Sequence, residues 1–410
     1  MLTIRRVTWM LATFMIFSVL CSMAGHGRQS GSKPGLEGQK KVTVELDEFF
    51  QKQLREFGLA AIGACIVKDE KIAWSGGFGL ADIENKRPAT PGTIFAVGSV
   101  SKVVTLAAFM RLWERGKCAL DDDVSRYLPY PLRHPRFPGK PITIRTLLSF
   151  TAGIFDVDMK AGQNRLSFLE ETRDPTISAA EALKEFLVPG GRNYSEDNFL
   201  ATAPGERYAY SNSSYSLIGH LVERLSGRPF WEFCRQEIFA PLGMDDSSWR
   251  LVDLRRDRYA YGYLREAGRM KKKEPTIWPG YMDGGLRTTA KDFGHFLAMM
   301  IGQGTYAGMR VLKPQTVDAM LALQNPPGAP AGREFPILGR GFVWILSQVS
   351  DRRIFQMNGF GPAFFAQVYF DPERKTGGAF FTTGEYASFA ALGTAVTRIL
   401  TTMIDATARM

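Results

Sequence analysis

Apolar positions recur at helical spacing from Val42 to Phe57, through Val44, Leu46, Phe49, Phe50 and Leu54, which predicts an amphipathic helix. Two apolar runs follow, Ala60 to Val67 and Lys71 to Phe78, separated by Lys68-Asp69-Glu70. They read as a strand pair around a polar turn. After Lys102 the pattern changes. Val103, Val104, Leu106, Ala107, Ala108, Phe109, Met110, Leu112 and Trp113 leave almost no polar face before Gly116, so this helix belongs inside the protein. From about 118 to 290 the chain is loop-rich and helical, with helices near 177–187, 214–226 and 229–238. Strands return at 342–349, 353–358, 364–370 and 378–383, and a last amphipathic helix covers 388–406. No internal repeat interrupts this order. Strands at both ends predict an α/β fold: one antiparallel sheet built from both chain ends, flanked by helices and carrying an inserted, mainly helical lobe.

Composition changes this picture little. The chain has 410 residues, 45% hydrophobic and 22% charged, an ordinary globular balance. Its N-terminus adds a compartment. Arg5 and Arg6 precede an apolar run from Trp9 to Cys21, and Ser22-Met23-Ala24 offers a small-x-small cleavage site. Residues 1–24 therefore read as an export signal, which predicts a periplasmic or secreted protein, with residues 25–41 as a flexible leader. Lipid attachment at Cys21 and an uncleaved membrane anchor are the other readings. Without this segment the cysteines are Cys65, Cys118 and Cys234, an odd number, so at least one is unpaired. The net charge of +10 becomes +8 once Arg5 and Arg6 are removed. Such a charge suits anionic wall polymers or lipid heads. No basic–aromatic motif points to nucleic acid, and Lys271-Lys272-Lys273 reads as a solvated loop.

The candidate chemistry starts at Phe95-Ala-Val-Gly-Ser-Val-Ser-Lys-Val-Val104. Ser99 three residues before Lys102 on a helix puts hydroxyl and amine on one face, and a serine needs a neighbouring base to become a nucleophile. A second match, Ser30-Gly-Ser-Lys33, lies in a stretch where nothing would bury or orient it. Ser101 is the rival nucleophile, but neighbouring helix positions do not face each other. Tyr210-Ser-Asn212, just before another helix, aims a phenol and a carboxamide into one cleft. A phenolate held near a lysine ammonium can serve as base, and Asn212 can accept from Lys102 while donating to a substrate carbonyl. The histidines, His26, His134, His220 and His295, have no metal-ligand spacing. No Gly-x-Ser-x-Gly elbow is present.

These motifs sit in an ordered series. Gly77-Phe-Gly-Leu-Ala-Asp-Ile-Glu84, Thr93 to Lys102, Leu120-Asp-Asp-Asp-Val-Ser-Arg-Tyr-Leu-Pro129 and Ile142-Thr-Ile-Arg-Thr-Leu-Leu148 come first. Pro204-Gly-Glu-Arg-Tyr-Ala-Tyr-Ser-Asn212, Pro241-Leu-Gly-Met244 and Gly284-Gly-Leu-Arg-Thr-Thr-Ala-Lys-Asp-Phe293 follow. The set resembles the serine β-lactamase and penicillin-binding-protein superfamily, in the branch of class C β-lactamases, DD-peptidases, D-aminopeptidases and related esterases. The resemblance covers residues 42–410. It implies that Ser99 is acylated, that Lys102 and Tyr210 share the proton transfers, and that Asn212 contacts the substrate amide. The third family motif, a strand with Lys-Thr-Gly or His-x-Gly, falls on Met357-Asn358-Gly359, which makes Asn358 and Gly359 substrate-binding candidates without a cation. The literal Lys375-Thr-Gly377 reads as a hairpin turn. Leu148-Ser-Phe-Thr-Ala-Gly153 departs from the family's His-Thr-Ser-Gly in a way expected to affect packing.

The expected function is an exported serine acyl hydrolase, without metal or cofactor, acting on small esters, amides or peptides. The missing cation at 357 tilts it away from penicillins, because a charged partner for a carboxylate contributes about 1.5–3 kcal/mol. Arg287 and Arg340 are the candidates for supplying that charge from elsewhere. A DD-peptidase or weak β-lactamase is one alternative. A non-catalytic wall-binding or scaffold protein is the other.

Overall fold

The computed structural model describes residues 36–158, 163–164, 171–330, 332, 335–361 and 363–410. The expected signal at 1–24, His26 and the Ser30/Lys33 pair lie outside them. Eight strands form one sheet: β1 (Ala61–Lys68), β2 (Lys71–Asp82), β3 (Arg87–Pro88), β4 (Ile337–Arg340), β5 (Ile345–Val349), β6 (Arg352–Gly361), β7 (Phe364–Asp371) and β8 (Thr376–Thr383). Their order is β4-β5-β6-β7-β8-β1-β2-β3, antiparallel throughout. The sheet is thus assembled from both chain ends, as the strand pattern predicts. The β1–β2 turn places Asp69 and Glu70 at φ 47° and 62°, the left-handed pair that matches the twist of a two-residue hairpin.

The helices that position the site are α1 (Leu36–Phe57), α2 (Ser101–Trp113), α3 (Asn212–Ser226), α4 (Ala290–Ile301) and α5 (Phe389–Arg409). α1 and α5 cover one face of the sheet, where Phe50, Ile62, Ile66, Phe380, Ile399 and Met403 are buried together. α4 covers the other face, with Phe293 and Phe296 joining a core that runs on into the helical lobe. α1 begins at Leu36, not Val42, so the expected leader is too long. Its first turn is polar and mostly exposed, so it leaves no periodic signal. The expected 342–349 strand is shorter, β5 at Ile345–Val349, and it pairs with β4 at Ile337–Arg340, which the apolar pattern did not predict. The helix expected at 229–238 ends at Cys234 and continues as a wide π-helical turn, Arg235–Phe239.

The lobe hangs from a short ribbon in which Ile94–Ala96 pairs with Arg287–Thr289. Ser99 follows one arm of that ribbon directly. Lys271 to Lys273 lie in a strand, Arg269–Lys273, not in a loop. Lys272 donates to the buried Asp82 carboxylate at 2.9 Å; burial pushes that carboxyl up, but Lys272 and Asn85 outweigh it and hold the pKa well below the ordinary value.

Candidate active site

Ser99 does not stand on α2. It occupies a single 3-10 turn, Gly98–Val100, between the ribbon and the helix. Gly98 takes φ 50°, a value side chains disfavour, and this lifts Ser99 toward the cleft. From α2, Lys102 is fully buried, and its Nζ has three acceptors: Ser99 Oγ at 3.0 Å, Asn212 Oδ1 at 2.7 Å and the Asp283 carbonyl at 2.6 Å. Three acceptors match the three protons of an ammonium. The Tyr210 hydroxyl lies 2.7 Å from Ser99 Oγ, with Lys102 Nζ 5.0 Å from the phenol ring centre. The four residues that the motifs nominated, Ser99, Lys102, Tyr210 and Asn212, are therefore brought together. Ser101 is turned away: its buried Oγ accepts from the Leu286 N–H at 3.0 Å.

Local chemistry explains how Tyr210 and Asn212 reach Ser99. Ser211 caps α3, its Oγ accepting from the Ser214 N–H at 3.1 Å. It also donates to the buried Asp156 carboxylate at 3.1 Å. The cap fixes Asn212 as the first helical residue and leaves Tyr210 extended before it. Phe150 then clamps the phenol, its ring stacking on Tyr210 at 4.8 Å and meeting Tyr215 at 5.0 Å. Phe150 ends the helix Ile144–Leu148 in the left-handed conformation, φ 58°, where glycine is usual. That costs about 1–2 kcal/mol, while aromatic pairs contribute about 0.5–1.5 kcal/mol each, so stacking offsets the strain. The departure expected to affect packing touches the base itself.

β6 crosses in front of Ser99. An ideal Cβ on Gly359 would stand 2.9 Å from the Ser99 nitrogen and collide with the Val97 carbonyl, so only glycine permits the approach. The Phe360 nitrogen lies 3.3 Å from where a Gly98 Cβ would be, which puts its N–H beside that of Ser99. Gly359→Ala is expected to push β6 back and lower kcat on an ester about 10²–10³-fold, the scale of losing one oxyanion donor. Steady-state kinetics below the variant's Tm checks this, and an unchanged kcat would refute it.

The cleft is a cavity of about 300 Å³ with Ser99 in its wall beside Tyr208, Tyr210, Phe342, Met357, Asn358 and Phe360. Asn358 is exposed and Met357 buried. Arg340 also lines it, its guanidinium 5.3 Å from the Tyr208 ring centre and donating to the Pro330 carbonyl at 3.0 Å. Its Nε is buried with no partner among the described residues. Arg287 is spent elsewhere, on the Thr276 and Gly285 carbonyls. Lys375 lies at the hairpin turn, 3.7 Å from Glu70, at the end of β8 farther from the cleft, about 25 Å along the strand.

His134 is buried against Phe137 and Phe199. No cluster of metal-ligating side chains occurs among the described residues. Phe150 and Asp283 were missed as site residues, while of the two candidate cations Arg340 lines the cleft and Arg287 does not. Only Phe150 had a signal, its place in the family's histidine position.

Known proteins resemble this chain in sequence and fold. The Beta-lactamase family model matches residues 46–401. Protein Rv1367c of Mycobacterium tuberculosis (strain ATCC 25618 / H37Rv) is 29% identical over 324 residues, 71% of this chain and 76% of that protein. The octameric penicillin-binding protein homologue from Pyrococcus abyssi superposes with a TM-score of 0.67 at 25% identity, over 87% of this chain and 77% of that one. A class C β-lactamase superposes at 0.68 and 19% identity, over 88% and 96%, and shares the fold. With a family model spanning most of its length, the chain belongs to the β-lactamase family.

Proposed function

We propose that the protein is a serine acyl hydrolase that forms an acyl-enzyme on Ser99 and prefers esters or amides to penicillins. The observation that carries this is the hydroxyl of Ser99, held 3.0 Å from Lys102 Nζ and 2.7 Å from the Tyr210 hydroxyl. Ser99 Oγ attacks the carbonyl while its proton passes to the Tyr210 oxygen, favoured by the neighbouring Lys102 ammonium, and from there to the leaving group. The N–H groups of Ser99 and Phe360 receive the oxyanion. Water then attacks the ester by the reverse path and frees the acyl group. Asn212 orients the substrate carbonyl side, and Asn358 and Gly359 shape the opposite wall.

The leaning toward esters and amides rests on Met357, which cannot hold a carboxylate. The aromatic walls favour an apolar acyl group. A second reading, a DD-peptidase or weak β-lactamase, is favoured by Arg340, a cation in the same cleft. The ratio of kcat/KM for a neutral aryl ester and its carboxylate-bearing analogue separates the two. The ester should lead in the wild type, and Met357→Lys should raise the carboxylate substrate relative to it by about tenfold or more. A strong wild-type preference for the carboxylate, lost in Arg340→Gln, would overturn the ester preference. Intact Ser99, Lys102, Tyr210 and Asn212 weigh against a non-catalytic scaffold.

We also propose export through residues 1–24, with small-molecule substrates and anionic wall polymer as the partners outside. No helix among the described residues is long and apolar enough to cross a membrane.

A further inference from the structure

Behind Lys102 lies a carboxyl group that the acyl-transfer steps do not use. Asp283 ends the short turn Tyr281–Asp283 and is 1% exposed. Its backbone carbonyl takes one of the three Lys102 protons. Its carboxyl oxygen lies 2.8 Å from the Ser216 hydroxyl of α3. That hydroxyl has one proton, yet it also lies 2.9 Å from the Gly280 carbonyl and 3.3 Å from the Asn212 carbonyl. Neither carbonyl can donate. A protonated Asp283 can donate to Ser216, which then donates to Gly280, and every group is satisfied. With Asp283 ionised, the single Ser216 proton would face oxygens at 2.8 and 2.9 Å, and one of these close oxygen–oxygen contacts would hold no hydrogen, although the Gly280 carbonyl keeps its bond from the Asp283 N–H at 3.2 Å.

The charges facing Asp283 pull both ways. Burial is the largest influence and pushes it up to about 7. Lys102 from α2 favours the ionised form, with the side chains of Ser216 and Trp278, while Asp156 opposes it. Asp156 is itself fully buried, its Oδ2 accepting from the Ser211 hydroxyl and the Ser213 N–H.

We propose that Asp283 is a positioning residue held as a neutral acid, which leaves the Lys102 charge uncompensated beside Ser99 and Tyr210, and that its ionisation weakens the site. This inference rests on Ser99 being the acylated residue. As pH rises through about 7, a carboxylate appears behind Lys102. It cancels part of the field that stabilises the oxygen losing its proton. Activity therefore acquires an alkaline limb that belongs to Asp283. Asp283→Asn keeps the size and a donor for Ser216 but cannot ionise.

The test follows the rate of fluorophosphonate labelling at Ser99 against pH in wild type and Asp283→Asn. The wild-type rate should fall about tenfold across the limb, and the variant should hold its rate until ~1 pH unit or more higher. The same limb in both would overturn the proposal. Should the variant not fold, infrared spectra of wild type with isotope-labelled aspartate supply the answer. A buried carboxylic-acid band should vanish in step with the labelling rate, and the lack of such a band would equally overturn it. Absence of Ser99 labelling at any pH refutes the acyl-enzyme reading instead, while the infrared band still decides the state of Asp283.

Discussion

Replacing Ser99 with alanine is expected to bring ester hydrolysis down to the background rate, a fall of up to about six orders of magnitude on the scale of other serine nucleophiles. Ser101→Ala should leave turnover within the same order as wild type. The contrast follows from where the two hydroxyls point. Ser99 Oγ meets Lys102 and Tyr210 at the cleft wall, whereas Ser101 Oγ is buried under the Leu286 N–H. Removing the latter strands a buried donor and should cost about 1–3 kcal/mol of stability. Ser101→Ala should therefore melt earlier yet turn over normally. Progress curves for both variants with one aryl ester decide it, and turnover surviving in Ser99→Ala would move the nucleophile elsewhere.

Lys102→Ala and Tyr210→Phe should each cost nearly as much as the double variant. Both act on the same proton, and groups that act as a unit lose function non-additively. The geometry supports a single unit: one oxygen, Ser99 Oγ, is shared by amine and phenol, and Asn212 holds the amine from behind. Lys102→Ala carries a second expectation. Its ammonium fills a fully buried site, so its removal leaves Asn212 Oδ1 and the Asp283 carbonyl without their donor. Stability should fall together with activity. Tyr210→Phe keeps the ring stacked on Phe150 and should lose activity at nearly constant Tm. Losses that simply add in the double variant would mean two independent roles.

The residues that were legible in the sequence are those whose chemistry is local. Ser99 and Lys102 are three apart, Tyr210 and Asn212 two apart, and the apolar run after Lys102 announces a buried helix. The sheet was legible too, because its strands are nearly continuous apolar runs at both chain ends. What was hidden depends on contacts far apart in sequence. That Arg340, rather than Arg287, is the candidate cation in the cleft depends on β4, a four-residue strand whose Gly339 and Arg340 leave no apolar run to announce it. Asp283 looks like an ordinary turn acid until the fold sets its carbonyl on Lys102. The serine's place in a 3-10 turn rather than on α2 is likewise invisible, since the positive φ of Gly98 is fixed by β6 packing against it. The leader boundary was misjudged because polar residues can extend a helix without adding to its periodic face.

The central claim is that Ser99 is an activated nucleophile in a cleft suited to neutral acyl donors. Intact-mass analysis of the wild type after separate exposure to a fluorophosphonate and to penicillin tests it most directly. The expected result is a single fluorophosphonate adduct that maps to Ser99, with little or no penicilloyl adduct under the same conditions. No fluorophosphonate adduct, or one mapping to another residue, would contradict the account, and a stoichiometric penicilloyl adduct on Ser99 would contradict its preference for esters and amides.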